Sequence, residues 1–250
     1  MSLPDVAQIR ARIYDAYRTT TAANRLKRPA LSLEGQLRQY RQRWARFLPP
    51  DRSAHILDIG CGGGEFLLFL TQRGYSQIEG VDISPEQIDL ARRRGLRQVV
   101  AGDALDYLGE CRECYALINI QNVLEHLARP ELFQMLDAVV AALAPGGRVF
   151  GVVPNSKSIF SARVRYADIT HELSFTPESL RQIFTVVGLR PTAILEHGPL
   201  VHGAISSLRW AIWQGVRLAI WIAYVAENVD YGERVYTHDM MFVAEKWQTG

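Results

Sequence analysis

The chain has 250 residues, of which 48% are apolar, and its formal net charge is only +2. This composition is typical of one globular domain with extensions. The three cysteines, Cys61, Cys111 and Cys114, are too sparse and uneven for a disulfide framework and favour a reducing cytosol. The C-x-x-C spacing of the last two lacks the second ligand pair of a zinc site and is interpreted as incidental. Because the N-terminus has no apolar signal core, we expect a cytoplasmic protein.

The first 50 residues are predicted to form a basic arm. They carry ten Lys or Arg and three Asp or Glu, a net charge of +7, whereas the rest of the chain carries −5. Such an arm indicates an anionic substrate, an anionic membrane surface or nucleic acid, or else simply solvated helix faces. Apolar residues recur at helical spacing over 5–18 and 33–48, which predicts two amphipathic helices joined by a loop over 19–30.

Three glycines at alternate positions dominate the next segment. An apolar run that contains Asp58 is followed by Gly60, Gly62 and Gly64, and a second apolar run then begins. This order predicts a buried strand, a tight turn and a helix. Glycine permits positive φ and close approach to a ligand, and doubly wound α/β folds bind nucleotides at such a turn. The dinucleotide fingerprint G-x-G-x-x-G is excluded, because it needs glycine where Glu65 stands.

Further strand patterns follow and alternate with helical ones. The second strand ends in Asp82, 22 positions after Gly60, about the distance expected for an acid that binds ribose hydroxyls. The third is followed by Asp103 and Ala104. The other strands are predicted over 116–120, after the glycine turn at 145–147, over 190–196 and over 240–245. The alternation predicts a Rossmann-like α/β fold.

This order of motifs resembles that of class I S-adenosylmethionine (SAM) methyltransferases over roughly residues 50–190, and Asp58-x-Gly60-x-Gly62-x-Gly64 resembles their motif I. The resemblance implies a doubly wound seven-stranded sheet whose last strand is antiparallel. It also implies SAM as the cofactor and S-adenosylhomocysteine as its product, with Ile83 covering the adenine and Asp103 accepting from the adenine amino group. The cofactor-binding residues that it implies are Asp58, Gly60, Cys61, Gly62, Gly64, Asp82, Ile83, Asp103, Ala104 and Gln121.

Four parts are expected along the chain. They are an N-terminal helical arm over 1–50, a SAM-binding core over 51–196, a helical insertion over 197–238, and the last strand with the C-terminus over 239–250. In the family such an arm often folds over the cofactor, which would bring Arg38 or Tyr40 near it, although a core position is favoured for Tyr40. The segment 155–175 exceeds the minimal fold and is expected to form the acceptor loop.

The insertion contains one long helical pattern over 204–228. One face carries Ile205, Leu208, Ile212, Val216, Ala219 and Ala223, and an adjoining face carries Trp210, Trp213, Arg217, Trp221 and Tyr224. Its longest uncharged run is too short to span a bilayer. The aromatic face suits a membrane interface, which would place the protein peripherally at the inner face of the membrane. A buried helix or a homodimer contact is the alternative.

Two histidines are candidates for a general base. Methyl transfer is an in-line displacement, and a sugar hydroxyl needs a base because it is hardly ionised at neutral pH. The favoured base is His171, which lies before a predicted helix N-cap at Thr176, with Asp168 orienting it. His126, after the fourth strand, is the second candidate. For either histidine a structural hydrogen bond is the alternative, and Glu125 beside His126 leaves a divalent metal possible.

The segment 165–180 resembles methyltransferases of bacterial surface-polysaccharide biosynthesis and, more loosely, quinone-ring O-methyltransferases. It therefore favours O-methylation of a saccharide, either a glycan or a lipid-linked sugar. A small-molecule or quinone-type enzyme and a non-catalytic SAM-binding subunit are the alternatives. One departure is Gln121-Asn122, where relatives commonly show a small residue and an acid. No nucleic-acid partner is expected, because the motifs of base-methylating enzymes after the fourth strand are absent from the sequence and no base-reading module is evident.

Overall fold

The computed structural model describes residues 32–109, 111–228 and 233–247. Seven strands lie in this part of the chain: β1 (Ile56–Ile59), β2 (Ile78–Asp82), β3 (Val99–Ala101), β4 (Tyr115–Gln121), β5 (Leu143–Pro154), β6 (Leu189–Glu196) and β7 (Asp239–Lys246). They form one sheet in the order β3-β2-β1-β4-β5-β7-β6. The helix predicted over 5–18 and the loop over 19–30 lie outside the described residues.

The strands have the arrangement that the resemblance implies. β1 to β5 are mutually parallel, and β7 runs antiparallel between β5 and β6. The carboxyl ends of the parallel strands therefore meet at one edge of the sheet, which is called the carboxyl edge below. Asp239, the first residue of β7, pairs with Pro154 at the end of β5, so β7 begins at this same edge.

Eight α-helices accompany the sheet in the described residues: α1 (Leu33–Arg43), α2 (Glu65–Gln72), α3 (Pro85–Arg93), α4 (Ala104–Leu108), α5 (Arg129–Ala142), α6 (Ser161–Arg165), α7 (Pro177–Val186) and α8 (Ala204–Asn228). The helix predicted over 33–48 ends its α-helical part at Arg43 and closes with a 3-10 turn. The predicted N-cap of α7 is confirmed, because the Thr176 hydroxyl accepts a hydrogen bond from the Ser179 amide at 3.2 Å.

The helices cover both faces of the sheet, as a doubly wound fold requires. One core contains apolar side chains of α1, α2 and α3, and the other contains side chains of α4, α5 and α7. Trp44, directly after α1, is 1% exposed and stacks on Phe150 of β5 with 4.4 Å between ring centroids. This aromatic contact fixes the end of α1 against the sheet, close to the carboxyl edge.

The predicted helix over 204–228 is confirmed as α8, and of the alternatives left open for its aromatic face, packing against the protein is the one observed. Most of the aromatic face packs against the protein: Tyr224 stacks on Tyr236 and donates to the Lys157 carbonyl, and Arg217 pairs with Glu196 at 2.9 Å. The Trp213 and Trp221 indole nitrogens are buried. The exposed large apolar side chains of α8 are Ile205, Leu208, Trp210, Ile212, Leu218 and Ile222. None of the helices in the described ranges is long and apolar enough to cross a bilayer.

The pairing of two cysteines also differs from the sequence interpretation. Cys111 and Cys114, whose spacing was expected to be incidental, form a disulfide just before β4. Cys61 remains a buried thiol. The prediction failed because the pair is local: a loop closed over three positions gives no signal in a count of cysteines.

Candidate active site

The three motif glycines form a tight turn at the end of β1. Gly60, Gly62 and Gly64 all have positive φ, of 71°, 53° and 81°. The turn is tied to β2 because the amides of Gly60 and Cys61 both donate to the Val81 carbonyl, at 2.8 and 3.1 Å. A Cβ on Gly62 would meet only a carboxylate oxygen 4.0 Å away, so the space above this glycine is open to a ligand.

Asp82 lies beside this turn with an acceptor set that suits ribose. Its Oδ2 accepts from the Gly62 amide and its Oδ1 from the Ser84 amide, both at 2.8 Å. Each oxygen retains a lone pair for a hydroxyl donor. Burial raises the pKa of this carboxyl. The adjacent Ile83 is 54% exposed, which leaves an apolar surface at the position expected to cover an adenine.

The remaining implied contacts lie along the same edge. Asp103 caps α4 by accepting from the Leu105 amide at 2.7 Å through Oδ1, so its second carboxylate oxygen can accept from another donor. Ala104 is the first residue of α4. Cys61 differs from the others, because its side chain is 5% exposed in the core and only its backbone faces the turn. These donors, acceptors and apolar surfaces fit SAM.

A buried polar chain fixes Asp58 beneath the turn. Gln121 donates to Asn119 at 2.9 Å, and Asn119 in turn donates to Oδ1 of Asp58 at 2.6 Å. Burial is the main cause that raises the pKa of Asp58 to about 8. A buried carboxyl suits a positively charged ligand, whose charge would stabilise the carboxylate. Gln121, which departs from the pattern of relatives, therefore has a clear partner in Asn119. The role of Asn119 was not predicted from the sequence.

The arm approaches this site through α1. Tyr40 lies against Phe66 and Phe69 with ring centroids 5.4 and 5.8 Å away, so the core position favoured by the sequence is confirmed. Burial, with a smaller contribution from Asp58, raises the pKa of its hydroxyl. Arg38 is on another face of α1 and is one of the residues that line a cavity at the carboxyl edge.

The structure brings both candidate bases together in one imidazole pair. The rings of His126 and His171 meet edge to face with centroids 4.8 Å apart. Nδ1 of His171 is 3.0 Å from the Val164 carbonyl, which can only accept, so Nδ1 carries the proton. The Thr170 hydroxyl donates to Asp168 at 2.6 Å and lies 2.7 Å from Nδ1 of His126, which must therefore donate to it. In the neutral form of each ring, Nε2 is therefore the basic nitrogen.

These hydrogen bonds add Thr170 to the predicted residues. Asp168, which was expected to orient His171, accepts from the His171 amide at 3.3 Å through its carbonyl. Its carboxylate holds Thr170 through both the hydroxyl and the amide, and Thr170 contacts His126. Thr170 is 8% exposed and was not among the predicted site residues. Its role could not be found from spacing, because it lies 44 positions from His126.

Glu125 links the two loops that carry the histidines. Its carbonyl accepts from the amides of Glu172 and Leu173, at 2.8 and 3.0 Å, which brings the loop of His171 beside His126. Its side chain is 1% exposed, and burial raises its pKa to about 8. Ligand atoms of Glu125, His126 and His171 lie within 4.8 Å of one another, so the three side chains could hold a metal ion.

The segment that carries His126 packs on the glycine turn. A Cβ on Gly60 would approach Cγ2 of Val123 to 2.4 Å, so the segment that follows β4 packs directly on the turn. His126 is three residues further along this segment. The nucleotide-binding edge and the candidate bases are therefore adjacent, which is the arrangement that a group transfer from cofactor to acceptor requires.

Comparisons with known proteins agree with this geometry. The Methyltransferase domain family matches residues 33–194. A ubiquinone biosynthesis O-methyltransferase of Xylella fastidiosa is 27% identical over 173 residues, which cover 66% of this chain and 68% of that protein. A SAM-dependent methyltransferase of Archaeoglobus fulgidus has the same fold with a TM-score of 0.64 and 24% identity, over 86% of this chain and 95% of that one.

A further solved structure is that of the 1,6-didemethyltoxoflavin-N1-methyltransferase of Burkholderia thailandensis, which contains S-adenosylhomocysteine. It matches with a TM-score of 0.58 and 17% identity, over 99% of this chain and 93% of that one. The family match covers well over half of the chain and includes the glycine turn, Asp82 and both histidines. The chain therefore belongs to the methyltransferase-domain family and is a class I SAM-dependent methyltransferase.

Proposed function

We propose that this enzyme methylates a hydroxyl oxygen and that the imidazole pair removes the hydroxyl proton. The observation that carries the proposal is the hydrogen bonding of both Nδ1 atoms, which makes Nε2 the basic nitrogen of His126 and of His171. SAM supplies an activated methyl group on its sulfonium when bound. The protein has to align the acceptor and take up one proton, and an oriented neutral imidazole is suited to that task at neutral pH.

We favour His126 as the base, with Thr170 and Asp168 as positioning residues. The Thr170 hydroxyl donates its hydrogen to Asp168, so its oxygen can only accept from His126. Nδ1 of His126 is therefore the donor in its hydrogen bond with Thr170. His171 packs against the ring of His126 and limits its rotation. The sequence favoured His171 as the base, and both assignments are open to the same mutational test.

For the acceptor we favour a saccharide hydroxyl. The support, besides the sequence resemblance, is a cavity of about 680 Å³ at the carboxyl edge whose walls include several hydrogen-bonding side chains. Among the described residues that line it are Ser32, Gln39, Gln42, His197, His202 and Thr237. Such walls match an acceptor rich in hydroxyl groups, since each hydroxyl needs a hydrogen-bonding partner when it leaves water.

A quinone-type phenol is the second candidate acceptor. It is favoured by the ubiquinone biosynthesis O-methyltransferase of Xylella fastidiosa, whose aligned region spans about two thirds of both chains. A phenol ionises more readily than a sugar hydroxyl, so its methylation depends less on the base. A non-catalytic SAM-binding subunit is the third reading, and the imidazole pair argues against it.

The cluster of Glu125, His126 and His171 could also bind a divalent cation. A cation there would be coordinated by the lone pair of His126 that a general base needs, so metal binding and general-base catalysis by His126 compete. Activity that is lost after chelation and regained with Mg²⁺ or Zn²⁺ would favour the metal role. Undiminished activity in the presence of a chelator would favour the base.

Transfer of radiolabelled methyl groups from SAM into a cell-envelope extract tests the acceptor. We expect label in the saccharide or glycolipid fraction after separation from protein and small organic-soluble compounds. The inactive control is Gly62→Arg, which fills the open space above the turn. Gly74→Arg is matched to it, because Gly74 also has positive φ, with open space around it, at the end of α2. Label confined to organic-soluble phenols would replace the saccharide with a quinone-type acceptor.

A further inference from the structure

The cavity at the carboxyl edge has an excess of positive charge. Its walls come from α1, the segment after β6, the start of α8 and the start of β7. Three guanidinium groups line it, those of Arg38, Arg43 and Arg209, and the only carboxylates among its described lining residues are Glu34 and Asp239. A volume of about 680 Å³ is large enough for a small-molecule group.

The two carboxylates do not neutralise this excess. Glu34 lies 3.9 Å from Arg38, and both side chains are largely exposed, so this pair is weak. Asp239 lies 3.2 Å from Nε2 of His238. Arg43 and Arg209 form no ion pair within the described ranges of the chain.

Arg43 is the most constrained of the three arginines. It is half-buried, and its guanidinium donates to the Gly198 carbonyl at 2.5 Å and contacts the Met241 sulfur at 3.9 Å. Both partners are neutral. Burial lowers its pKa to about 10, so it remains charged at neutral pH. A guanidinium withdrawn from water without a carboxylate is costly, and an anion beside it would offset that cost.

Resting on the function proposed above, we propose that this cavity binds a phosphate or diphosphate group of the methyl acceptor, with Arg43 and Arg209 as its principal contacts. Guanidinium groups bind phosphate oxygens through paired, charge-assisted hydrogen bonds. Arg209 is on α8 and Arg43 is on α1, so two guanidinium groups from different helices line the same cavity. The acceptor is thus a phosphorylated saccharide rather than a neutral one.

The position of the cavity favours an acceptor group over the cofactor. The residues implied for SAM lie at the ends of β1 to β4, whereas the cavity lies at the end of β6 and the start of β7. In the sheet, β5 separates β4 from β7. The cavity therefore lies to one side of the nucleotide-binding edge.

Titration of the full chain with pyrophosphate, inorganic phosphate and acetate, followed by calorimetry, tests this site without turnover. We expect saturable binding of pyrophosphate at one site, weakened about tenfold or more in Arg209→Ala and partly restored in Arg209→Lys. Arg93→Ala is the control, because Arg93 is exposed at the end of α3, far from the cavity. The indole NMR signal of Trp213, which lines the cavity, should shift on binding.

Four results would overturn the assignment. They are the absence of saturable pyrophosphate binding, equal affinity in Arg209→Ala, an equal loss in Arg93→Ala, and binding of acetate in preference to phosphate. The affinity for S-adenosylhomocysteine should be the same in all variants, and a parallel loss in Arg209→Ala would assign the arginine to the cofactor instead. Because no methyl transfer is measured, this outcome and that of the acceptor experiment are independent.

Discussion

Asp58 shows how one buried residue can shape both stability and ligand preference. Its carboxyl is 3% exposed, and burial raises its pKa to about 8 despite the hydrogen bond from Asn119. The folded protein therefore holds a proton there that an unfolded chain, with the ordinary value of 3.8, releases. The stabilisation that the protonated Asp58 carboxyl gives the folded state is complete below pH 4. It declines as the pH rises towards 8, because ionisation of this carboxyl then favours the unfolded chain.

We predict that Asp58→Asn flattens the pH dependence of the unfolding free energy between pH 5 and pH 8. The amide oxygen can still accept from Asn119, but it does not ionise. The slope should decrease by up to about 1.4 kcal/mol per pH unit. Chemical denaturation at several pH values measures it, with Asp106→Asn, at an exposed position on α4, as the control. An unchanged slope in Asp58→Asn would show that Asp58 is ionised in the folded protein.

Helix α8 shows what periodicity can and cannot predict about an element. The helix and its two apolar faces followed from the spacing, but the covered face did not, because both faces are apolar enough to be buried. The covered face is determined by contacts with residues distant in the sequence: Tyr224 stacks on Tyr236, and Arg217 pairs with Glu196. Membrane contact or self-association through 204–228 remains a prediction, and it now concerns the face of Ile205, Leu208 and Ile212.

A pair of substitutions on α8 tests this assignment of faces. Ile220 is 8% exposed, and Ile212, two turns earlier, is 59% exposed. Ile220→Glu should lower the free energy of unfolding by about 3 kcal/mol or more, because it buries an unpaired charge. Ile212→Glu should change it by no more than about 0.5 kcal/mol. Thermal and urea unfolding measure both. Equal losses would mean that the two faces are equally covered.

At the scale of the whole molecule, the sheet was predictable and the acceptor side was not. The glycine turn, the acids after β2 and β3 and the alternating strands are local patterns. The resemblance that they carry implied the seven-stranded sheet with an antiparallel last strand that is observed. The contacts of Thr170 with His126 and of Arg43 with Gly198 join residues 44 and 155 positions apart. Such contacts depend on the packed fold, and a single sequence contains no local signal for them.

The charge of the arm illustrates the same limit. The sequence left open whether the basic residues of 1–50 bind an anionic partner or simply form solvated helix faces. In the structure, Arg38 and Arg43 of α1 face a cavity whose other walls come from the distant segments after β6 and before β7. Helix α1, the insertion and the start of the last strand thus meet at one edge of the sheet.

The most direct test of this account measures methyl transfer and cofactor affinity together in wild type, His126→Ala and His171→Ala. We expect transfer to the hydroxyl acceptor to fall about 100-fold or more in His126→Ala while the affinity for S-adenosylhomocysteine is unchanged, since the base acts only on the acceptor. His171→Ala should lose less, because His171 only supports the neighbouring ring. Undiminished transfer in both variants would contradict general-base catalysis by the imidazole pair.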